Sequence, residues 1–152
     1  MTPPDFIKML LPAAQACQRA TGVPASITIG QAALESGWGA LAPGNNLFGI
    51  KADSAWKGAT ISFPTTEYIN GVKTALNQKF RSYPDWSGSM TDHATFFHAN
   101  PRYHNCFAET TSDGWARALA KAGYGTDLDY AGKLIAVMHG RNMAAFDIFQ
   151  KA

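Results

Sequence analysis

Charge of one sign is scarce in this chain. Thirteen lysines and arginines stand against eleven aspartates and glutamates, a formal net charge of +2, and no run of basic residues occurs. That balance is too weak to argue for nucleic acid, although it would not oppose an anionic polymer such as a bacterial wall. Long apolar runs are also missing: nothing approaches the roughly 20 residues of a membrane span. The start does not read as a secretory leader, because Pro3, Pro4 and Asp5 replace a basic beginning and Met9-Leu10-Leu11 is cut by Pro12. The expectation is a chain made in the cytoplasm without a signal peptide and without membrane insertion. Cysteine is nearly absent. Cys17 and Cys106 cannot make a disulfide framework, and their apolar surroundings suit buried free thiols. His93, His98, His104 and His139 include no i, i+4 pair around a glutamate, so a zinc helix is not expected, nor any cofactor. Neither a G-x-S-x-G elbow nor a Gly-rich phosphate loop is present. Asp92 and Asp113, each isolated, read as helix-start residues.

What is present centres on Ala32-Ala33-Leu34-Glu35-Ser36-Gly37-Trp38-Gly39. Upstream, Val23, Ile27, Gly30 and Leu34 recur at the period of a half-buried helix opened by Pro24. Gly37 and Gly39 stop that helix. Glu35 therefore falls on the last turn of an apolar helix. There the negative end of the helix dipole and apolar neighbours, Trp38 among them, disfavour its charge. A carboxyl kept protonated near neutral pH can act as a general acid. By position alone, a helix-end glutamate pointing into water is the commoner case.

The rest of the chain reads as helical with one β insertion. Thr2 and Pro3 open a first helix that Pro12 should kink or restart and that Thr21-Gly22 ends. Gly37 to Lys51 is a loop with a Pro43-Gly44-Asn45-Asn46 turn cluster and a short extended piece, Leu47 to Lys51. Alternation from Thr60, then Asn70-Gly71, predicts an antiparallel hairpin over Thr60–Ser82. Later helices start at Pro84-Asp85, at Ser112 or Asp113, and at Thr126 or Asp127. Breaks fall near Asn100-Pro101, Gly123 and Gly140. At 152 residues and 46% hydrophobic content, one domain with a sizeable core is expected over 1–152. The class is α+β, mainly α. A second carboxylate, Glu67, lies toward the hairpin tip. One acid on a helix end and another on a facing lobe is an arrangement that glycoside hydrolysis uses; an exposed hairpin residue is the plainer alternative. Trp38, Phe48, Trp56, Tyr103, Tyr124 and Tyr130 suit either a core or the faces of sugar rings.

The stretch around Glu35, then Asn46-Leu47-Phe48-Gly49-Ile50-Lys51-Ala52, Trp56-Lys57-Gly58, Thr65-Thr66-Glu67-Tyr68, Asn100-Pro101-Arg102-Tyr103 and Ala122-Gly123-Tyr124-Gly125-Thr126-Asp127 together resemble glycoside hydrolase family 73. That family includes the peptidoglycan-hydrolase domain of flagellar rod-assembly proteins and many bacterial autolysins. The resemblance implies a lysozyme-like fold with a small β-hairpin lobe, and an endo-β-N-acetylglucosaminidase acting on peptidoglycan glycan strands, with no cofactor and no metal. By it Glu35 is the general acid, Glu67 the second carboxylate and Tyr124 the tyrosine beside the acid. Trp38, Asn46, Phe48, Trp56, Tyr103 and Tyr130 are its expected substrate-binding residues. The Gly39–Asn46 loop is short for the family and Gly125 replaces an expected alanine. Flagellar rod-binding and wall-binding segments are missing. The expectation is a monomeric, free-standing enzyme acting in the periplasm or at the wall, of the phage endolysin kind before a secreted effector or an excised domain. A lytic transglycosylase or muramidase using Glu35 alone, and a non-catalytic wall-binding module, are the competing functions.

Overall fold

The computed structural model describes residues 1–149. Its elements are α1 (Pro3–Thr21), α2 (Ala25–Ser36), the hairpin β1 (Thr60–Ile69) and β2 (Val72–Arg81), α3 (Trp86–Ala99), α4 (Ser112–Lys121) and α5 (Tyr130–Gly140). Short 3₁₀ turns cover Pro43–Asn45, Pro101–Ala108 and Met143–Phe146.

Helix α1 starts as its residues predict. Thr2 Oγ1 accepts from the Asp5 N–H at 3.2 Å, and Gly22 closes the helix with φ 85°. Helix α1 does not restart at Pro12 but continues through it. Pro12 and Lys8, whose carbonyl loses its helical donor, are both exposed, so water replaces the missing bond. The inner side of α1 buries Phe6, Leu10 and Ala14.

Helix α2 is buried far beyond the one face its spacing suggests, for every residue from Ala25 to Ala33 is buried. It is the axis of the core, packed by α1, α4 and α5. Gly30 sets the approach of α5: a Cβ there would lie 2.9 Å from Met138 Cγ and 3.1 Å from Leu134 Cδ1. Beyond Ser36 the chain turns sharply. The Ser36 hydroxyl donates to the Ala32 carbonyl at 2.6 Å and accepts from the Gly39 N–H at 2.8 Å. At Gly39, φ is 85° and a Cβ would meet Trp86 at 2.8 Å, so the turn requires glycine.

The two-stranded sheet has the expected antiparallel register, with Ile69 opposite Val72 and Glu67 opposite Thr74. Asn70 and Gly71 take φ of 52° and 78°, the positive values of a type I′ turn. Lys51 bridges Phe80, so the Leu47–Lys51 piece joins the base of the hairpin. Alternation leaves Ile61, Phe63, Thr65 and Glu67 half-buried on one face, with Leu76, Gln78 and Phe80 beside them.

Three further boundaries differ from expectation. Thr111, not Ser112 or Asp113, caps α4, its hydroxyl accepting from Gly114 N–H at 3.0 Å. Helix α5 begins at Tyr130, because the Asp127 carboxylate accepts from the Asp129 N–H and holds a turn first. Asp92 sits in the middle of α3 rather than at a start, where Arg81 and Tyr83 hold it. Cys106 is buried and Cys17 only partly so; both are free thiols. Among the described residues, no helix is long and apolar enough to cross a membrane, and no cluster of three metal-ligating side chains occurs.

Candidate active site

Glu35 is the penultimate residue of α2 and projects into a cleft between the helical body and the hairpin. Two adjoining cavities share it. One is lined by Leu41, Asn46, Gly49, Phe63, Thr65 and Phe80. The other, about 460 Å³, is lined by Phe48, Lys51, Asp53, Arg102, Tyr103 and Tyr124, within the roughly 300–1,000 Å³ of small-molecule sites. A cavity of about 500 Å³ beside Gln18, Phe107 and Trp115 contains neither Glu35 nor Glu67, so size alone does not select the site. The chemistry does. Glu35 as a residue is exposed to the cleft, but the protein packed against its carboxyl desolvates it and pushes its pKa up, a rise that the neighbouring Tyr130 hydroxyl opposes.

The residues around Glu35 are held tightly. Tyr130 is nearly buried, and its oxygen accepts from Gln31 Nε2 at 2.8 Å. Tyr124 lies over it with ring centroids 5.3 Å apart. Burial and the nearby Glu35 carboxyl keep both phenols protonated. Tyr103 is buried under Phe97 with Arg102 over its ring at 4.8 Å. Phe48 stacks on His93 at 3.8 Å. Asn46 is committed to its own loop: its amide donates to the Ile50 and Arg81 carbonyls at 2.9 Å each, and its oxygen accepts from the Phe48 and Ile50 N–H groups. It shapes the cleft wall through the backbone it holds.

Glu67 stands farther out. It shares the cleft-side face of the hairpin with Phe63 and Thr65, two residues beyond Thr65 and so about 7 Å along the strand. Its carboxylate accepts from Lys51 Nζ at 3.1 Å and Gln78 Nε2 at 3.3 Å, and it lines neither cavity. Thr65 Oγ1, on the wall between them, is buried with no partner among the described residues.

The two tryptophans lie elsewhere. Trp38 takes φ 59° after the Gly37 turn, which directs its ring onto Phe6 of α1, 5.9 Å away, with Arg141 above it. Trp56 packs on Tyr83 and Arg81, and its Nε1–H donates to the Ala59 carbonyl at 2.9 Å. Neither lines a cavity that holds Glu35. Of the expected aromatic neighbours of Glu35, Phe48, Tyr103 and Tyr124 line a cavity with it. The residues that sequence reasoning passed over are Gln31, His93, Arg102 and Thr65. Thr65 and Arg102 lie within stretches that carry the family resemblance, and Gln31 is a polar residue inside an apolar helical pattern; His93 carried no signal.

A family model, glucosaminidase, described as mannosyl-glycoprotein endo-beta-N-acetylglucosaminidase, matches residues 11–143. The peptidoglycan hydrolase FlgJ of Salmonella typhimurium is 38% identical over 141 residues, covering 88% of this chain and 45% of FlgJ. The exo-glucosaminidase LytG of Bacillus subtilis is 35% identical over 150 residues, covering 93% of this chain and 52% of LytG. The chain thus spans about half the length of these curated relatives. A crystal structure of a peptidoglycan hydrolase mutant from Sphingomonas sp. A1 superposes with a TM-score of 0.81 at 36% identity, covering 93% of this chain and 96% of that one.

Proposed function

This chain belongs to the glucosaminidase family, glycoside hydrolase family 73, and we propose from that membership that it hydrolyses the β-1,4 bond between N-acetylglucosamine and N-acetylmuramic acid in bacterial peptidoglycan. The observation that carries the reading is Glu35: a carboxyl held toward its protonated form at the meeting of two cavities, between phenols that stay neutral. In the proposed reaction Glu35 protonates the leaving glycosidic oxygen. Glu67, beside Lys51, activates water or steadies the positive charge that develops at the sugar carbon. Tyr124, a neutral donor beside Glu35, orients the sugar at the scissile bond. Phe48 and Tyr103 form the floor under the sugar. Asn46 and Tyr130 support the site from behind, while Trp38 and Trp56 act only at the margins of a longer glycan. The enzyme works as a monomer on the wall side of the membrane.

A second reading takes its support from Glu67 lying outside the cavities that Glu35 lines. A lytic transglycosylase, or a muramidase using Glu35 alone, needs only the acid. Mass analysis of muropeptides from digested peptidoglycan separates the readings. Reducing N-acetylglucosamine ends are expected. Anhydro-muramic ends or reducing muramic ends overturn the assignment in favour of the second reading, and binding without any products reduces the chain to a wall-binding module.

A further inference from the structure

We propose that Gln31 and His93 are positioning residues for Glu35, forming with Tyr130 a buried chain of hydrogen bonds in which each group donates to the next and the last proton is aimed at the carboxyl. The catalytic consequence rests on the reading of Glu35 as the acid; the links from His93 through Gln31 to Tyr130 rest on geometry. Gln31 and His93 are both fully buried. His93 Nε2 lies 2.7 Å from Gln31 Oε1, and Gln31 Nε2 donates to the Tyr130 hydroxyl oxygen at 2.8 Å. A carbonyl oxygen only accepts, so His93 carries its proton on Nε2. Nδ1 is left bare, with no partner among the described residues. That is the less costly choice. Turning the Gln31 amide over would move the proton to Nδ1 and strand a buried N–H beside the stacked Phe48 ring and the edge-on Phe97 ring. Burial pushes the His93 pKa down to about 3, so the ring stays neutral and adds no second proton.

The direction then propagates. The Tyr130 oxygen already accepts from Gln31, which leaves its single proton free for the neighbouring Glu35 carboxyl. The carboxyl oxygen that receives this proton is an acceptor in both charge states, so the acidic proton resides on the other oxygen. Stability does not require such a device. Replacing both partners of a buried polar pair with apolar groups of like shape is close to neutral, and the pocket of His93 is otherwise apolar and aromatic.

Titration of Glu35 reads the chain directly. The ionisable groups facing Glu35 from other elements are Lys51, Asp53, Arg102, Tyr103, Tyr124 and Tyr130, and a change at position 31 leaves them in place. The chain has three glutamates, Glu35, Glu67 and Glu109, so carboxyl-carbon NMR on protein labelled with ¹³C-glutamate follows Glu35 in the intact protein. Gln31→Glu puts an acceptor where the donor was, and Tyr130 turns its proton away from Glu35. Its midpoint should rise by about one pH unit. In the Tyr130→Phe background the same change should move it less than half as far, since only the added charge remains. Gln31→Met, which adds no charge and suits the apolar core, should give a smaller rise that vanishes with Tyr130→Phe. The alkaline limb of wall lysis should move with the midpoint. Equal shifts with and without the Tyr130 hydroxyl, zero included, overturn the relay. A coupled NMR shift with an unmoved lysis profile keeps the relay and overturns Glu35 as the acid.

Discussion

At the scale of the residue, Glu35 meets water on its cleft side while α5 and the Tyr124 turn crowd the other. Its pKa is raised because desolvation outweighs the neighbouring Tyr130 hydroxyl. Two outcomes follow. Activity is full while the carboxyl holds its proton and falls as pH rises through the raised value, so a pH–rate profile flat on the alkaline side, with the protein still folded, would contradict the assignment. Stability runs in the same direction: a carboxyl whose folded pKa is raised favours the folded state below its ordinary range and loses that contribution as pH climbs past the folded value. Glu35→Gln should therefore lower wall lysis by about 10²–10⁴-fold while melting no lower than the parent. The melting gap should open in the variant's favour as pH rises, measured by thermal unfolding across pH. Glu35 was legible in the sequence because a charge at an apolar helix end before two glycines is a local oddity. Its partners were not. Whether Trp38 faces α1 or the cleft depends on a positive φ that no propensity dictates, and Gln31 meets His93 only when α2 and α3 pack.

At the scale of the element, the hairpin's tie to the helical body is concentrated in Arg81. Its guanidinium donates to Asp92 at 3.0 Å, its Nε–H donates to the Lys51 carbonyl at 3.2 Å, and it stacks over Trp56 at 4.7 Å. The Tyr83 hydroxyl donates to the same Asp92 oxygen at 2.5 Å. Both charged side chains are nearly buried, with 11% and 14% exposure. Removing one member leaves the other charge unpaired, so Arg81→Met or Asp92→Asn should each cost about 3 kcal/mol in urea unfolding. The double variant should cost clearly less than the two together; additive losses would show that the pair does not act as a unit. The hairpin itself was easy to read, since alternation and Asn70-Gly71 are local signals. The latch was not, because Asp92 looks like any mid-helix acid until the hairpin folds back over α3. Pro12 fails as a breaker for a related reason: solvent on that side of α1 supplies what the ring removes.

At the scale of the whole molecule, the hairpin is a two-stranded arm attached at its base by the Lys51–Phe80 bridge, the Arg81 latch and the Tyr83 N–H bond to the Gly44 carbonyl at 2.8 Å. Toward the tip its cleft-side contact is the Lys51–Glu67 ion pair, with both side chains well exposed. An exposed pair contributes little, on the order of 0–1 kcal/mol, and is screened by salt, so the tip is free to leave its resting place. Glu67 follows Phe63 and Thr65 along the same face, so swinging the arm inward carries it toward Glu35. An inverting pair needs carboxyls roughly 6.5–9.5 Å apart, with a water between them, and closure on a glycan is the step that would supply that spacing. If Glu67 then acts as the base, Glu67→Gln should lose most of the activity on purified peptidoglycan, somewhat less than Glu35→Gln, and azide should restore no product of retained configuration. If the substrate's own N-acetyl group attacks instead, the second carboxylate has less to do and Glu67→Gln should lose far less. Near-full lysis by a folded Glu67→Gln protein would leave Glu35 as the sole catalytic carboxylate and make the arm a clamp on the glycan rather than a carrier of the base.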